Sequence, residues 1–235
     1  MQVFFIRKKH LTWAAIFLLF IILLFTLLLG SGRSERDVPT INPIYIGNTR
    51  DMAVALMFNV DWGEDIIPGI LEVLHQKDTR ATFFITGRIA KKFPEMVRQI
   101  SEKGHEIGNH GFSHPHPDKI SLEQNMNEIS ETEKVLTELG VGISKIFASP
   151  YGEHKPHVLQ AASALGYKTI MWTLDTVDWK DPAPEVIVKK VSEKADNGAL
   201  ILMHPKKCTL DALPSVIDAL RERQFAIKTV SEIIQ

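Results

Sequence analysis

The stretch AVALMFNVDWGED, Ala53 to Asp65, decides the fold. Its apolar run carries through Phe58 and breaks at Gly63, so it reads as a buried strand running out into a loop. Asn59 and Asp61 stand two residues apart, which on a strand turns both toward one face. That face is either filled core or a site.

The same pattern recurs outward from this stretch. ATFFIT, HEIGNH, KIFAS, YKTIMWT, ALILMH and AIKTV are strand-length segments rich in apolar, β-branched or aromatic residues. Between them IIPGILEVLHQ, IAKKFPEMVRQISEK, LEQNMNEISETEKVLTEL, PHVLQAASAL, PEVIVKKVSEKA and LPSVIDALRER space apolar residues three and four apart, as one-sided helices do. Gly104, Gly140, Gly166 and Gly198 follow four of the helical patterns, where a left-handed cap is wanted. Ser121 with Gln124 forms a capping box, and Pro156 sits in a first helical turn. Alternating strands and helices imply a parallel sheet. About seven such units favour a barrel over an open sheet, and in either the site lies past the C-terminal strand ends.

The 235 residues contain an uncharged run from Leu11 to Gly32, LTWAAIFLLFIILLFTLLLGSG, long enough to cross a bilayer as a helix. Arg7, Lys8 and Lys9 before it keep residues 1–10 in the cytoplasm, and the charges just after it nearly cancel. The expected organisation is a signal anchor over 11–32, a polar and proline-broken tether over 33–50 ending in a short edge strand at IYIG, and an extracytoplasmic domain over 51–235. A cleaved signal peptide is the alternative, although its apolar core runs about 7–15 residues and this run is longer. Cys208 is the one cysteine, so the domain has no internal disulfide. Setting aside the three basic residues near the N-terminus leaves 24 against 28 acidic ones, with no basic face for nucleic acid. A monomer is expected.

Polar motifs fall after five different strands. NHGFSHPHPD brings His110, His114 and His116 into seven residues, and two histidines four apart on a turn can meet on one metal ion. Asp61 would add an oxygen ligand, leaving a position open for water as catalytic sites do. Capping of the next turn competes for that carboxylate. Asp175, Asp178 and Trp179 follow the fifth strand and His204 ends the sixth; a carboxylate beside such a histidine favours its protonated, acid form. Pro150, Tyr151 and Gly152 make a sharp turn that can offer a backbone N–H to a substrate oxygen.

In order and spacing these motifs resemble the polysaccharide deacetylases, the NodB-homology group or carbohydrate esterase family 4, from about Ala53 to the C-terminus. MFNVDWG, HGFSH, ASPYG, DTVDW and LILMH stand where that family has TFDDG, HSxxH, RxPYG, DxxDW and LxLxH. The resemblance implies a distorted (β/α)7 barrel and a divalent metal, usually zinc, with cobalt or another transition metal as alternatives. It implies hydrolysis of acetyl groups from N-acetylated sugars. By position, Asp61, His110 and His114 would hold the metal, Asp61 doing so only if Val60 is an extra residue. His204 would be the general acid supported by Asp178, Trp179, Leu202 and Pro150 would line the substrate pocket, and the Tyr151 N–H would hold the oxyanion.

Two departures matter. Asn59 occupies the general-base position, where an amide has no useful basicity and a positioned base contributes about 10²–10⁴-fold. Ala148 replaces the arginine that pairs with that base. Losing both leaves no unpaired buried charge, whereas losing one would cost roughly 3–5 kcal/mol. Gly111, in place of a hydroxyl residue, is a smaller change expected only to loosen its loop. The first expectation is a metal-dependent deacetylase of peptidoglycan or a chitin-like oligosaccharide at the outer face of the membrane, with Asp61, Asp118 or Asp175 entering substitute roles. The alternative is a wall-glycan-binding or scaffold protein that keeps the groove without turnover.

Overall fold

The computed structural model describes residues 41–234 together with Phe17, Leu18 and Ile21. The expected anchor over 11–32 therefore falls almost wholly outside the described residues. Among those described, no helix is long and apolar enough to cross a membrane. The compact unit that carries the motifs is Ile41–Gln235.

In chain order this unit contains β1 (Ala53–Val60), α1 (Ile67–Gln76), β2 (Thr82–Ile85), α2 (Gly87–Lys92), α3 (Pro94–Glu102) and β3 (Glu106–Asn109). It continues with α4 (Leu122–Glu138), β4 (Ile146–Ala148), α5 (Pro156–Ala164), β5 (Lys168–Ile170) and β6 (Leu174–Asp175). The last elements are α6 (Pro184–Lys194), β7 (Leu200–Met203), α7 (Lys207–Glu222), β8 (Ala226–Lys228) and α8 (Val230–Ile233). The strands form one parallel sheet in the order β5-β4-β3-β2-β1-β7-β6, with β8 also on β1. This curled α/β sheet matches the expected (β/α)7 barrel.

All eight residues of β1 are buried, and their period of two divides the core into layers. Val54, Leu56, Phe58 and Val60 point outward and pack with Ile70, Leu74, Val216 and Leu220 of the covering helices. Phe58 stacks on Phe83 at 5.1 Å. Ala53, Ala55 and Met57 point inward among Ala148, Ile170, Leu200 and Leu202. Asn59 continues that inner row.

The sheet path ends at β5 on one side and β6 on the other, and residues 44–47 reach both β5 and the start of β7. Ile44 bridges Ile170 in parallel and Ile46 bridges Ala199 antiparallel. The Gly47 N–H bonds the Gly198 carbonyl at 2.8 Å, and a Cβ on Gly198 would stand 2.6 Å from the Gly47 oxygen. The edge strand expected at IYIG is thus present as two bridges that hold the barrel wall.

Local signals mostly act as expected. Gly104, Gly140 and Gly166 take φ of +77°, +73° and +76°, and the Ser121–Gln124 capping box forms in both directions. Three boundaries differ. The helix expected over 89–103 is two, because Pro94 has no N–H to continue the ladder and Phe93 turns out at φ −128°, ψ 62°. The strand expected over YKTIMWT stops at Ile170, and the chain pairs again only at β6. The last long helix begins at Lys207 rather than Leu213. Pro214 lies inside it, and the lost backbone bond is offset by the burial of Thr209, Ala212 and Leu213.

Candidate active site

Past the C-terminal strand ends lies a cavity of about 420 Å³. Asn59, Asp61, His110, His114, Tyr151, Asp175, Trp179, Leu202 and His204 all border it, so one barrel end gathers residues from motifs spread over 146 positions of sequence, Asn59 to His204. Pro150 is buried in the turn before Tyr151 rather than on the cavity wall.

One side is built around Asp178, which is fully buried after β6. Its Oδ1 accepts from His204 Nδ1 at 2.8 Å, and its Oδ2 accepts from the His204 backbone N–H and the Thr209 hydroxyl, each at 2.6 Å. With Nδ1 as donor, Nε2 is the nitrogen of His204 left for proton exchange. The Trp62 ring lies parallel to the His204 ring at 5.9 Å, with Lys206 over the same indole. Trp179 is half exposed at the rim, its Nε1 3.5 Å from Asp175, and Leu202 is buried beneath. Cys208 donates to the Asp178 carbonyl at 3.5 Å, and burial raises its thiol pKa, as suits a packing residue.

The opposite side lacks such a pair. Asn59 is 6 % exposed and its Oδ1 has no partner within the protein; Ala148, at the end of β4, is fully buried. The Ser149 hydroxyl is likewise buried without a partner. Asn59 and Ala148 are the positions at which the resemblance implies a base and its arginine.

The histidine loop is firmly tied. Glu128 of α4 accepts the N–H groups of Phe112 and Ser113 at 2.8 and 2.7 Å and the Ser113 hydroxyl at 2.7 Å. Asn109 Oδ1 accepts the Gly111 N–H at 2.9 Å. Gly111 takes φ +75°, where a Cβ would have room, so glycine serves the backbone turn. His110 is 2 % exposed and donates Nδ1–H to the Ala148 carbonyl at 2.7 Å, which leaves Nε2 as a lone-pair donor. Burial pushes its pKa down to about 3, so it stays neutral. The His114 ring, on a residue with φ +57°, lies 5.0 Å from that of His110, and burial lowers its pKa against the pull of Asp61. His116 lies apart, pairing with Glu153 at 2.8 Å and stacking on Tyr151 at 4.1 Å. Tyr151 itself takes φ +57°, the sharp turn expected after Pro150.

Asp61 is the residue whose surroundings the sequence did not foretell. β1 pairs with β2 in unbroken register through Asn59↔Phe84 and Val60↔Ile85, so Val60 makes no bulge in the strand. Asp61 reaches the cavity from the turn beyond. There Arg88, at the start of α2, grips both its oxygens, Nε to Oδ1 at 2.7 Å and Nη2 to Oδ2. This pair raises the Arg88 pKa further. The two histidines therefore suit a divalent ion, and the carboxylate does so only once Arg88 releases it. Of the substitute ligands, Asp175 borders the cavity and caps the Val177 N–H at 2.7 Å, while Asp118 is committed to the Lys155 N–H at 2.8 Å. Arg88 and Trp62 were missed in sequence. Arg88 stands three residues past β2, so the strand-end rule could have found it; Trp62 lay inside the opening motif.

Known proteins are similar to this chain over the same region. The family described as polysaccharide deacetylase matches residues 46–170. The uncharacterized protein YlxY of Bacillus subtilis is 35 % identical over 193 residues, 82 % of this chain and 60 % of YlxY, so the chain spans less than two thirds of that relative. A peptidoglycan-N-acetylglucosamine deacetylase of Bacillus cereus is 34 % identical over 187 residues, 77 % of this chain and 68 % of the relative. The crystal structure of BA3943 from Bacillus anthracis, described as a CE4 family pseudoenzyme, superposes with a TM-score of 0.81 at 34 % identity, covering 83 % of this chain and 70 % of that one. A mutant of that protein is described as having restored enzymatic activity. With its motifs gathered at one barrel end and this likeness across the domain, the chain belongs to the polysaccharide deacetylase family.

Proposed function

We propose that this protein binds N-acetylated amino-sugar chains, peptidoglycan foremost, at the outer face of the cytoplasmic membrane, with acetyl hydrolysis held far below that of a complete deacetylase. Asn59 carries this reading: it sits buried at the base position with an unpartnered amide oxygen, and Ala148 offers no arginine. The rim aromatics Trp62, Trp179 and Tyr151 give a sugar faces to lie on, and Leu202 gives the acetyl methyl an apolar floor. Residues 11–32 would hold the domain at the membrane.

The intact Asp178–His204 pair favours a second reading, a working metal-dependent deacetylase. In it His204 protonates the leaving amine, Asp178 steadies the charged imidazole, and the Tyr151 N–H holds the developing oxyanion. A divalent ion, zinc first, held by His110, His114 and Asp61 would supply Lewis acidity toward the acetyl carbonyl and activate water.

Purified full-length protein, mixed with acetylated chitooligosaccharides and with peptidoglycan in zinc or cobalt, separates the two. Binding without acetate release supports the first reading. Acetate release that Asp61→Ala abolishes supports the second, and neither binding nor release overturns both.

A further inference from the structure

We infer that Arg88 is a built-in counter-cation: its guanidinium occupies Asp61 in place of a divalent ion and keeps the ion affinity of the His110–His114 pair low. The planar fork of an arginine matches a carboxylate edge to edge, and here both oxygens of Asp61 are used. On β1, Val60 points into the outer core layer, and Asn59 offers a neutral amide oxygen in place of a carboxylate. Among the described residues, no three His, Cys, Asp or Glu side chains are grouped so as to hold a metal ion together.

The placement of Arg88 makes it a gate. The N–H groups of Gly87 and Arg88 bond the carbonyls of Gly111 and Phe112, each at 3.0 Å, so the first turn of α2 is fastened to the loop that carries the histidines. Its side chain is 50 % exposed while that of Asp61 is 7 % exposed. The guanidinium therefore has water to swing into once another cation takes its place. Asp61 cannot follow, and a buried carboxylate without a partner demands another cation. Ion binding is thus an exchange of one positive group for another across the same two oxygens, with His110 Nε2 already turned into a donor by its bond to Ala148.

Cobalt titration of the full-length protein, read by visible absorption and by calorimetry with no glycan present, tests this apart from the glycan experiment. Arg88→Gln should bind Co²⁺ about ten- to hundredfold more tightly than wild type, the range by which partners of metal ligands change affinity. Arg88→Lys, which keeps the charge but loses the fork, should fall between, and it serves if the glutamine variant does not fold by circular dichroism. Adding Asp61→Asn to Arg88→Gln should cancel the gain. Equal or weaker Co²⁺ binding by folded Arg88→Gln or Arg88→Lys overturns the inference, as does a gain that survives Asp61→Asn.

Discussion

The two walls of the cavity are built on opposite plans. On the β6 and β7 side, Asp178 is fully buried yet meets three donors, and His204 is fixed by two of them. On the β1 and β4 side, Asn59 and Ala148 carry no charge, and Asn59 Oδ1 and Ser149 Oγ go unpartnered. A buried polar group without a partner costs about 1–3 kcal/mol, and within the protein Asn59 Oδ1 and Ser149 Oγ find none while Asp178 finds three. The contrast teaches that the two walls can differ independently on this barrel.

The largest effect should come from rebuilding the weaker wall. Asn59→Asp with Ala148→Arg restores base and partner together, and acetate release from chitooligosaccharide should rise about 10²–10⁴-fold. Asn59→Asp alone buries a carboxylate without a counter-charge and should be less stable than wild type by urea denaturation, with little gain in rate. If the double variant releases no more acetate than wild type, the walls are not independent, and the defect extends to Asp61 and Arg88.

Dismantling the stronger wall comes next. Asp178→Asn keeps the shape but removes the charge that three donors face, and should cost roughly 3 kcal/mol in chemical denaturation. Asn59→Ala, on the other wall, removes an oxygen that has no partner and should cost about 1 kcal/mol or less. Equal losses at the two positions would erase the contrast.

Much of this arrangement was legible because it depends on period and punctuation. A buried parallel strand reads as an apolar run and a covering helix as a stripe, so the alternation and the barrel end of the site followed from spacing alone. What escaped depends on tertiary contact. No local signal announces that Arg88 reaches 27 residues back to Asp61, or that Ile44 and Ile46 bridge strands far along the chain. The missed break at Phe93 and the early start of α7 are two outcomes for proline. Pro94 opens a new helix after Phe93 has left helical geometry, whereas burial along α7 carries the chain past Pro214.

The base wall should also be the acid-sensitive one. β3, which runs along it, is bounded by two buried histidines, His105 pushed down to about 4 and His110 to about 3, both mainly by burial. Their folded pKa values lie below the unfolded value near 6.5, so the unfolded chain binds more protons as pH falls. Stability is then complete above about pH 6.5 and declines toward pH 4 by up to about 1.4 kcal/mol per pH unit for each histidine. Urea titrations at pH 7, 6 and 5 should show this decline, and His105→Gln should remove about half the slope. An unchanged slope would place the acid sensitivity elsewhere.

The smallest effect tests what the acid wall adds besides a proton. Trp62 lies parallel to His204 at 5.9 Å with Lys206 over its ring, and it is 39 % exposed at the rim. An aromatic contact of this kind is worth about 0.5–1.5 kcal/mol, so Trp62→Ala should weaken chitooligosaccharide binding about three- to tenfold. Because Asp178 fixes His204 through two bonds that do not involve the indole, the fold should hold. A loss of glycan affinity with unchanged urea stability makes Trp62 part of the sugar platform. A loss of stability with unchanged affinity makes it a cover that keeps His204 in place, a third support beside the two bonds from Asp178.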